Sequence, residues 1–74
     1  MPDQELHSER FRTDRGKTFF FDLKKNENGK FLKITESIPT GEGFRRNFIT
    51  VPEESMEEFT GLMKKSIDYL KTTF

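Results

Sequence analysis

The stretch Lys17-Thr18-Phe19-Phe20-Phe21-Asp22-Leu23-Lys24-Lys25-Asn26-Glu27-Asn28-Gly29-Lys30-Phe31-Leu32-Lys33-Ile34-Thr35-Glu36-Ser37-Ile38 reads as a β-hairpin. Successive side chains of a strand point to opposite sides of a sheet. Phe19, Phe21 and Leu23 therefore share one face, and Phe20, Asp22 and Lys24 the other. Asn28-Gly29 marks the turn, because both residues accept positive φ and the dipeptide favours type I′ geometry. The return strand, Lys30 to Ile38, adds Leu32, Ile34 and Ile38 to the apolar face and sends Phe31, Lys33, Thr35 and Ser37 the other way. Two registers are open. A two-residue turn sets Lys24 opposite Lys33, a like-charge pair that destabilises a sheet by up to about 1 kcal/mol and is better explained by an anionic ligand. A four-residue turn, Asn26 to Gly29, sets Lys24 opposite Phe31 and Asp22 opposite Lys33. Both keep the same two faces.

On the N-terminal side, residues 1 to 5 read as a disordered tail and Leu6 to Thr13 as a first strand, with a turn at Thr13-Asp14-Arg15-Gly16. On the C-terminal side, Pro39 to Gly43 reads as a flexible loop and Phe44 to Val51 as a strand. Asn47, Ile49 and Val51 point inward there, and Arg46, Phe48 and Thr50 outward. Pro52 ends the sheet, since it has no ladder donor. Ser55-Met56-Glu57-Glu58 fits a capping box opening a helix to about Leu70. Met56, Phe59, Met63, Ile67 and Leu70 form its apolar stripe. Glu57 and Glu58 in its first turn and Lys71 in its last suit the helix dipole. Gly61 is read as a point of close helix contact. The fold expected is α+β: a four-stranded antiparallel sheet followed by one helix that covers one sheet face, residues 6 to 74 forming a single unit.

Seventy-four residues bury only about 60% of the surface their unfolded chain exposes. Hydrophobic residues make up 31% against 35% charged, yet nine Phe argue for a packed core, so folding is expected to be coupled to self-association. The chain has no cysteine, which excludes disulfides, thiolate zinc sites and thiol nucleophiles. The longest apolar run is Phe19 to Phe21 and the N-terminal segment is polar, so neither a membrane span nor a signal peptide is expected, and the cytoplasm is the expected location. Net charge is zero, but residues 10 to 46 carry ten Lys or Arg against five Asp or Glu. Such a local surplus either solvates one face or attracts an anion.

Phe31, beside the turn and bracketed by Lys30 and Lys33, is placed to stack on an unpaired base. Phe20 points the same way and can stack likewise, but the alternative is that these rings, with Phe44 and Phe48, fill the second face against a partner subunit, and for Phe20 and Phe48 that reading is preferred. Asn26 and Asn28 serve the turn and can also bond bases or sugars. Enzymatic readings find little: the single histidine, His7, has no partner by spacing, and Glu53, Glu54, Glu57 and Glu58 sit where a helix dipole wants carboxylates rather than a metal. Gly41 and Gly43 lack the Lys-Ser or Lys-Thr of a phosphate loop. No enzyme, cofactor or metal is expected.

The run Phe20 to Ile34 resembles the signature of the PUR domain family of purine-rich-element binding proteins: aromatic-Asp-Val-Lys-x-Asn-x-x-Gly-Arg-Phe-Leu-Lys-Ile. Ile49-Thr50-Val51-Pro52 leading to Met56-Glu57-Glu58-Phe59 is similar to the strand-to-helix junction of bacterial members. The resemblance covers about Leu6 to Leu70. It implies that two repeats intertwine in a Whirly-like unit, so that this single repeat forms a homodimer. It also implies binding of single-stranded DNA or RNA, often purine-rich, in a regulatory or nucleoid-type role. The family's binding Lys and Asn fall on Lys24 and Asn26, its stacking Phe on Phe31, and its basic linker on Arg15 and Lys17. A basic residue before the turn glycine is here Asn28, which removes one phosphate contact. Lys17, Lys24, Lys30 and Lys33 are expected on phosphate and Asn26 on base or sugar. The rival expectation is a protein-docking module that has lost nucleic-acid binding.

Overall fold

The computed structural model describes residues 3–73. Strands β1 (Gln4–Arg12), β2 (Thr18–Asn26), β3 (Gly29–Thr40) and β4 (Gly43–Pro52) form one antiparallel meander in the order β1-β2-β3-β4, followed by helix α1 (Met56–Thr73). β1 begins earlier than expected: Gln4 and Glu5 of the anticipated tail already pair with Lys25 and Lys24, while Met1 and Pro2 lie outside the described residues. A bulge at Leu6 lets β1 absorb its poor alternation and restores register at His7.

Of the two hairpin registers the chain takes the second. Asn26 pairs with Gly29, so Lys24 faces Phe31 and Asp22 faces Lys33. The Lys24–Lys33 opposition does not form; like charges meet instead at Lys25 and Lys30, both exposed beside the turn. The reason is local. The Asn26 side chain accepts the Asn28 backbone N–H at 2.9 Å, an Asx turn that centres the bend on Glu27–Asn28 and leaves the positive φ (+125°) to Gly29. The expected Pro39–Gly43 loop is also replaced by strand. Pro39 pairs with Phe44 and Thr40 with Gly43, closing a tight turn at Gly41-Glu42. β3 outruns β2 beyond Ser37, so Pro39 occupies an edge position where its missing donor is tolerated.

The sheet has two distinct faces. The apolar face carries Phe11, Phe19, Phe21, Leu23, Leu32, Ile34, Ile49 and Val51, with Phe11 stacked at 5.2 Å from Phe19 and 6.1 Å from Phe21 between ring centroids. Towards one end of this face Asn47 donates to Glu36 at 3.1 Å, and the Lys17 ammonium stands 3.3 Å from the same carboxylate.

The helix does not cover that face, contrary to expectation. The chain leaves β4 through a 3-10 turn, Glu53–Ser55, that runs directly into α1, so Ser55 closes this turn instead of standing alone as a cap. The first helical turn buries Val51 to 5% exposure and half-buries Phe59. Beyond it the stripe is open, with Met63 47%, Ile67 52% and Leu70 60% exposed. Nothing approaches within 4 Å of where a side chain on Gly61 would stand, so the close contact expected there is not made within the chain. The resulting body is thin, 46 × 36 × 16 Å.

Candidate nucleic-acid interface

The second face is built by the even-numbered residues of β2 and their ladder partners. Four rows cross it. Glu5, Lys24, Phe31 and Pro52 form the row nearest the β2–β3 turn. Ser8, Asp22, Lys33 and Thr50 come next, then Arg10, Phe20, Thr35 and Phe48, then Arg12, Thr18, Ser37 and Arg46. Alternation along each strand and fixed register between strands thus interleave cations with aromatic rings on one side of a single sheet.

The side chains engage one another across these rows. The Lys33 ammonium lies 4.5 Å from the centroid of Phe48, and the Arg46 guanidinium 5.9 Å from that of Phe20, cation–π distances that hold the long side chains against the rings. Phe20, Asp22, Lys33, Thr35, Arg46 and Phe48 line an open depression of about 410 Å³. Ser8 donates its hydroxyl to Asp22 at 2.6 Å across the β1–β2 pair.

The structure gathers some of the expected site residues and separates others. Lys24, Phe31 and Lys33 share the basic face as direct or diagonal neighbours. Asn26 has the same orientation at the end of β2, its carbonyl oxygen committed to the turn and its amide N–H₂ directed elsewhere. Asn28 is exposed in the turn itself. Lys30 lies opposite Lys25 and shares the parity of Leu32, which places it on the apolar side. Lys17 is also there, held by Glu36 and 5.5 Å from the Phe19 ring. Arg15 sits in the β1–β2 turn, closed by Gly16 N–H donating to Thr13 and by Thr13 N–H donating to Lys17. That turn is at the far end of β2, on the order of 27 Å from Asn26 at about 3.4 Å per residue. The eight positions do not form one site within a chain.

Arg10, Arg12, Arg46 and Phe48 were not among the expected contacts, yet they extend the basic face away from the turn. The outward alternation of Arg46, Phe48 and Thr50 was the signal for β4. For β1 the bulge at Leu6 hid the phase. Phe48, read from sequence as partner-facing, is 60% exposed. Glu36 has its carboxyl held below the ordinary glutamate value of 4.5, first by the hydrogen bond from Asn47 and then by the one from Lys17.

An antiparallel sheet with cations and aromatic rings interleaved on one face that its own helix leaves open has the architecture of sheet-based surfaces that stack unpaired bases. The comparisons with known proteins agree: the family model described as PurA ssDNA and RNA-binding protein matches residues 2–71, and the chain belongs to that family. It is 31% identical over 70 residues to the transcriptional activator protein Pur-alpha of Homo sapiens, covering 90% of this chain and 21% of that protein. The Mus musculus Pur-alpha gives the same identity over 70 residues and 22% of its length. The transcriptional regulator protein Pur-beta-A of Xenopus laevis is 31% identical over 78 residues, 24% of its length. The chain therefore spans about a fifth to a quarter of the length of these relatives. Among the described residues no group of side chains is arranged to hold a metal ion, and no helix is long and apolar enough to cross a membrane.

Proposed function

We propose that the protein binds single-stranded DNA or RNA on the basic face of the sheet, acting as a homodimer in a regulatory or nucleoid-type role in the cytoplasm. The observation that carries this reading is the direct cross-strand pairing of Lys24 with Phe31, with Lys33 two residues along the same face, on a surface its own helix leaves open. Lys24 and Lys33 neutralise phosphate, Phe31 stacks on a base, and the free amide of Asn26 bonds base or sugar. Arg10, Arg12 and Arg46 continue the track. Family membership supports the ligand class, and the names of the relatives support regulation of transcription. Two open surfaces in one chain support the homodimer: an apolar sheet face and an apolar helix stripe, which can bury each other between two copies.

Fluorescence anisotropy with labelled purine-rich and pyrimidine-rich oligonucleotides, DNA and RNA, over a series of salt concentrations tests this. Contact with about four phosphates of a single strand gives a log–log salt slope near −3, at about −0.7 per contact. A flat salt response with weak binding would replace this reading with the protein-docking one, which the zero net charge favours.

A further inference from the structure

The basic face contains one acid at its centre, and phosphate binding gives no reason for it. Asp22 stands between Phe20 and Lys24 along β2 and directly opposite Lys33 on β3, inside the depression lined by Phe20, Lys33, Thr35, Arg46 and Phe48. A carboxylate there repels a backbone phosphate. Its cationic neighbour does not neutralise it either: the Lys33 ammonium is turned onto the Phe48 ring, and among the described residues the ion pairs are His7–Glu9 and Lys17–Glu36.

Asp22 is instead fixed in orientation. Ser8 donates to Oδ1 at 2.6 Å, and an ionised carboxylate has about four acceptor positions, so acceptor capacity remains on a residue that lines the depression. Its flanks are Phe20 and, across the Thr35 row, Phe48, rings on which a base entering the groove takes the place of the Arg46 and Lys33 cations. An oriented acceptor between stacking surfaces reads the edge of an unstacked base. Among the four bases, guanine alone offers two adjacent N–H donors on its Watson–Crick edge, at N1 and N2. Adenine and uracil each place an acceptor beside a single donor position, and cytosine offers the N4 amine beside an acceptor.

Building on the proposed single-strand binding, we infer that Asp22, held by Ser8, is a specificity-determining residue that accepts hydrogen bonds from the Watson–Crick edge of an unpaired guanine in the central depression of the basic face. Lys24, Phe31 and Lys33 then supply affinity, and Asp22 supplies discrimination.

The test compares one oligonucleotide carrying a single central guanine with copies in which that base is inosine, which lacks the N2 amine, or adenine. The wild-type protein is expected to prefer guanine by about fivefold or more over adenine, with inosine between them, the range of a good bidentate base contact. Asp22→Asn keeps the shape but replaces an acceptor by a donor, and is expected to bring the guanine-to-adenine ratio to within about twofold. A wild-type ratio near one overturns the inference without recourse to any variant. So does an Asp22→Asn protein that binds all three oligonucleotides more tightly with the ratio unchanged, since that is the behaviour of a charge that merely opposes phosphate. Failure of the wild type to bind any of the three overturns the single-strand reading itself, whereas salt-dependent binding without discrimination overturns only the role of Asp22.

Discussion

Phe31 is half-buried between Lys24 of β2 and Pro52 of β4, and its position in the sheet does not depend on what its ring does. Phe31→Ala is therefore expected to lower single-strand affinity by about 1 to 3 kcal/mol, the usual worth of one base–aromatic stack, with the far-ultraviolet circular dichroism unchanged. Lys24 and Lys17 offer a contrast between two lysines that sequence alone placed in the same role. Lys24→Ala should make the salt slope shallower by about 0.7, while Lys17→Ala, whose ammonium is occupied by Glu36 on the other face, should leave the slope as it was. Glu36 itself ties pH to folding. Its folded pKa is depressed, so its contribution is present above the ordinary value of 4.5 and is lost as pH falls through the lower, folded-state value. Denaturant midpoints measured across that acidic window should fall more steeply with decreasing pH for the wild type than for Glu36→Gln.

At the scale of elements, the strands and the helix were legible because each carries a strong period of its own. Phe19, Phe21 and Leu23 alternate without a break, and Met56, Phe59, Met63, Ile67 and Leu70 repeat at helical spacing. What sequence could not settle was any choice in which two local signals compete. Asn28-Gly29 is a strong type I′ dipeptide, but the Asn26 side chain offers Asn28 a hydrogen bond that moves the bend back one residue, and the register follows the side chain. The turn then leans on Gly29 at φ +125°. Gly29→Ala has open space around its new methyl group yet must adopt a backbone conformation that L-residues disfavour, so it should destabilise the fold by about 1 kcal/mol or more in equilibrium unfolding. Gly61→Ala is the complementary case, with helical φ and free space in the single chain. The seat of the helix was illegible for another reason: its period says which side is apolar, but not whether the surface that buries it belongs to the same chain. The shared face of the candidate residues was readable where it depends on parity, as for Lys24, Phe31 and Lys33, but sequence could not say on which side Arg15, in a turn, and Lys17, drawn to Glu36, would stand.

For the whole molecule, the decisive fact is that nearly all of the hydrophobic surface able to form a core is present but not yet assembled. Val51 is buried, whereas Phe11, Ile49, Leu62, Met63, Ile67 and Leu70 are between 47% and 60% exposed in the single chain. An apolar face this large is not a stable feature of a monomer, and burial at about 25 cal/mol per Å² is the main force available to so small a domain. The short Glu53–Ser55 link sends α1 off the end of β4 and leaves its stripe and the sheet's apolar face both open, and in the proposed homodimer a second copy supplies the complement to each. Folding and association then become one equilibrium, in which stability depends on protein concentration. The melting temperature should rise with concentration over the micromolar range, and analytical ultracentrifugation should show a species of twice the chain mass. Ile67→Glu places a charge in the middle of the stripe while leaving helix propensity nearly intact, and is expected to shift the sedimentation profile to the monomer and lower the melting temperature with it. Phe31→Ala, on the opposite face, should remain dimeric. A monodisperse wild-type monomer whose melting temperature does not vary with concentration would show that the apolar face is covered by something other than a second copy.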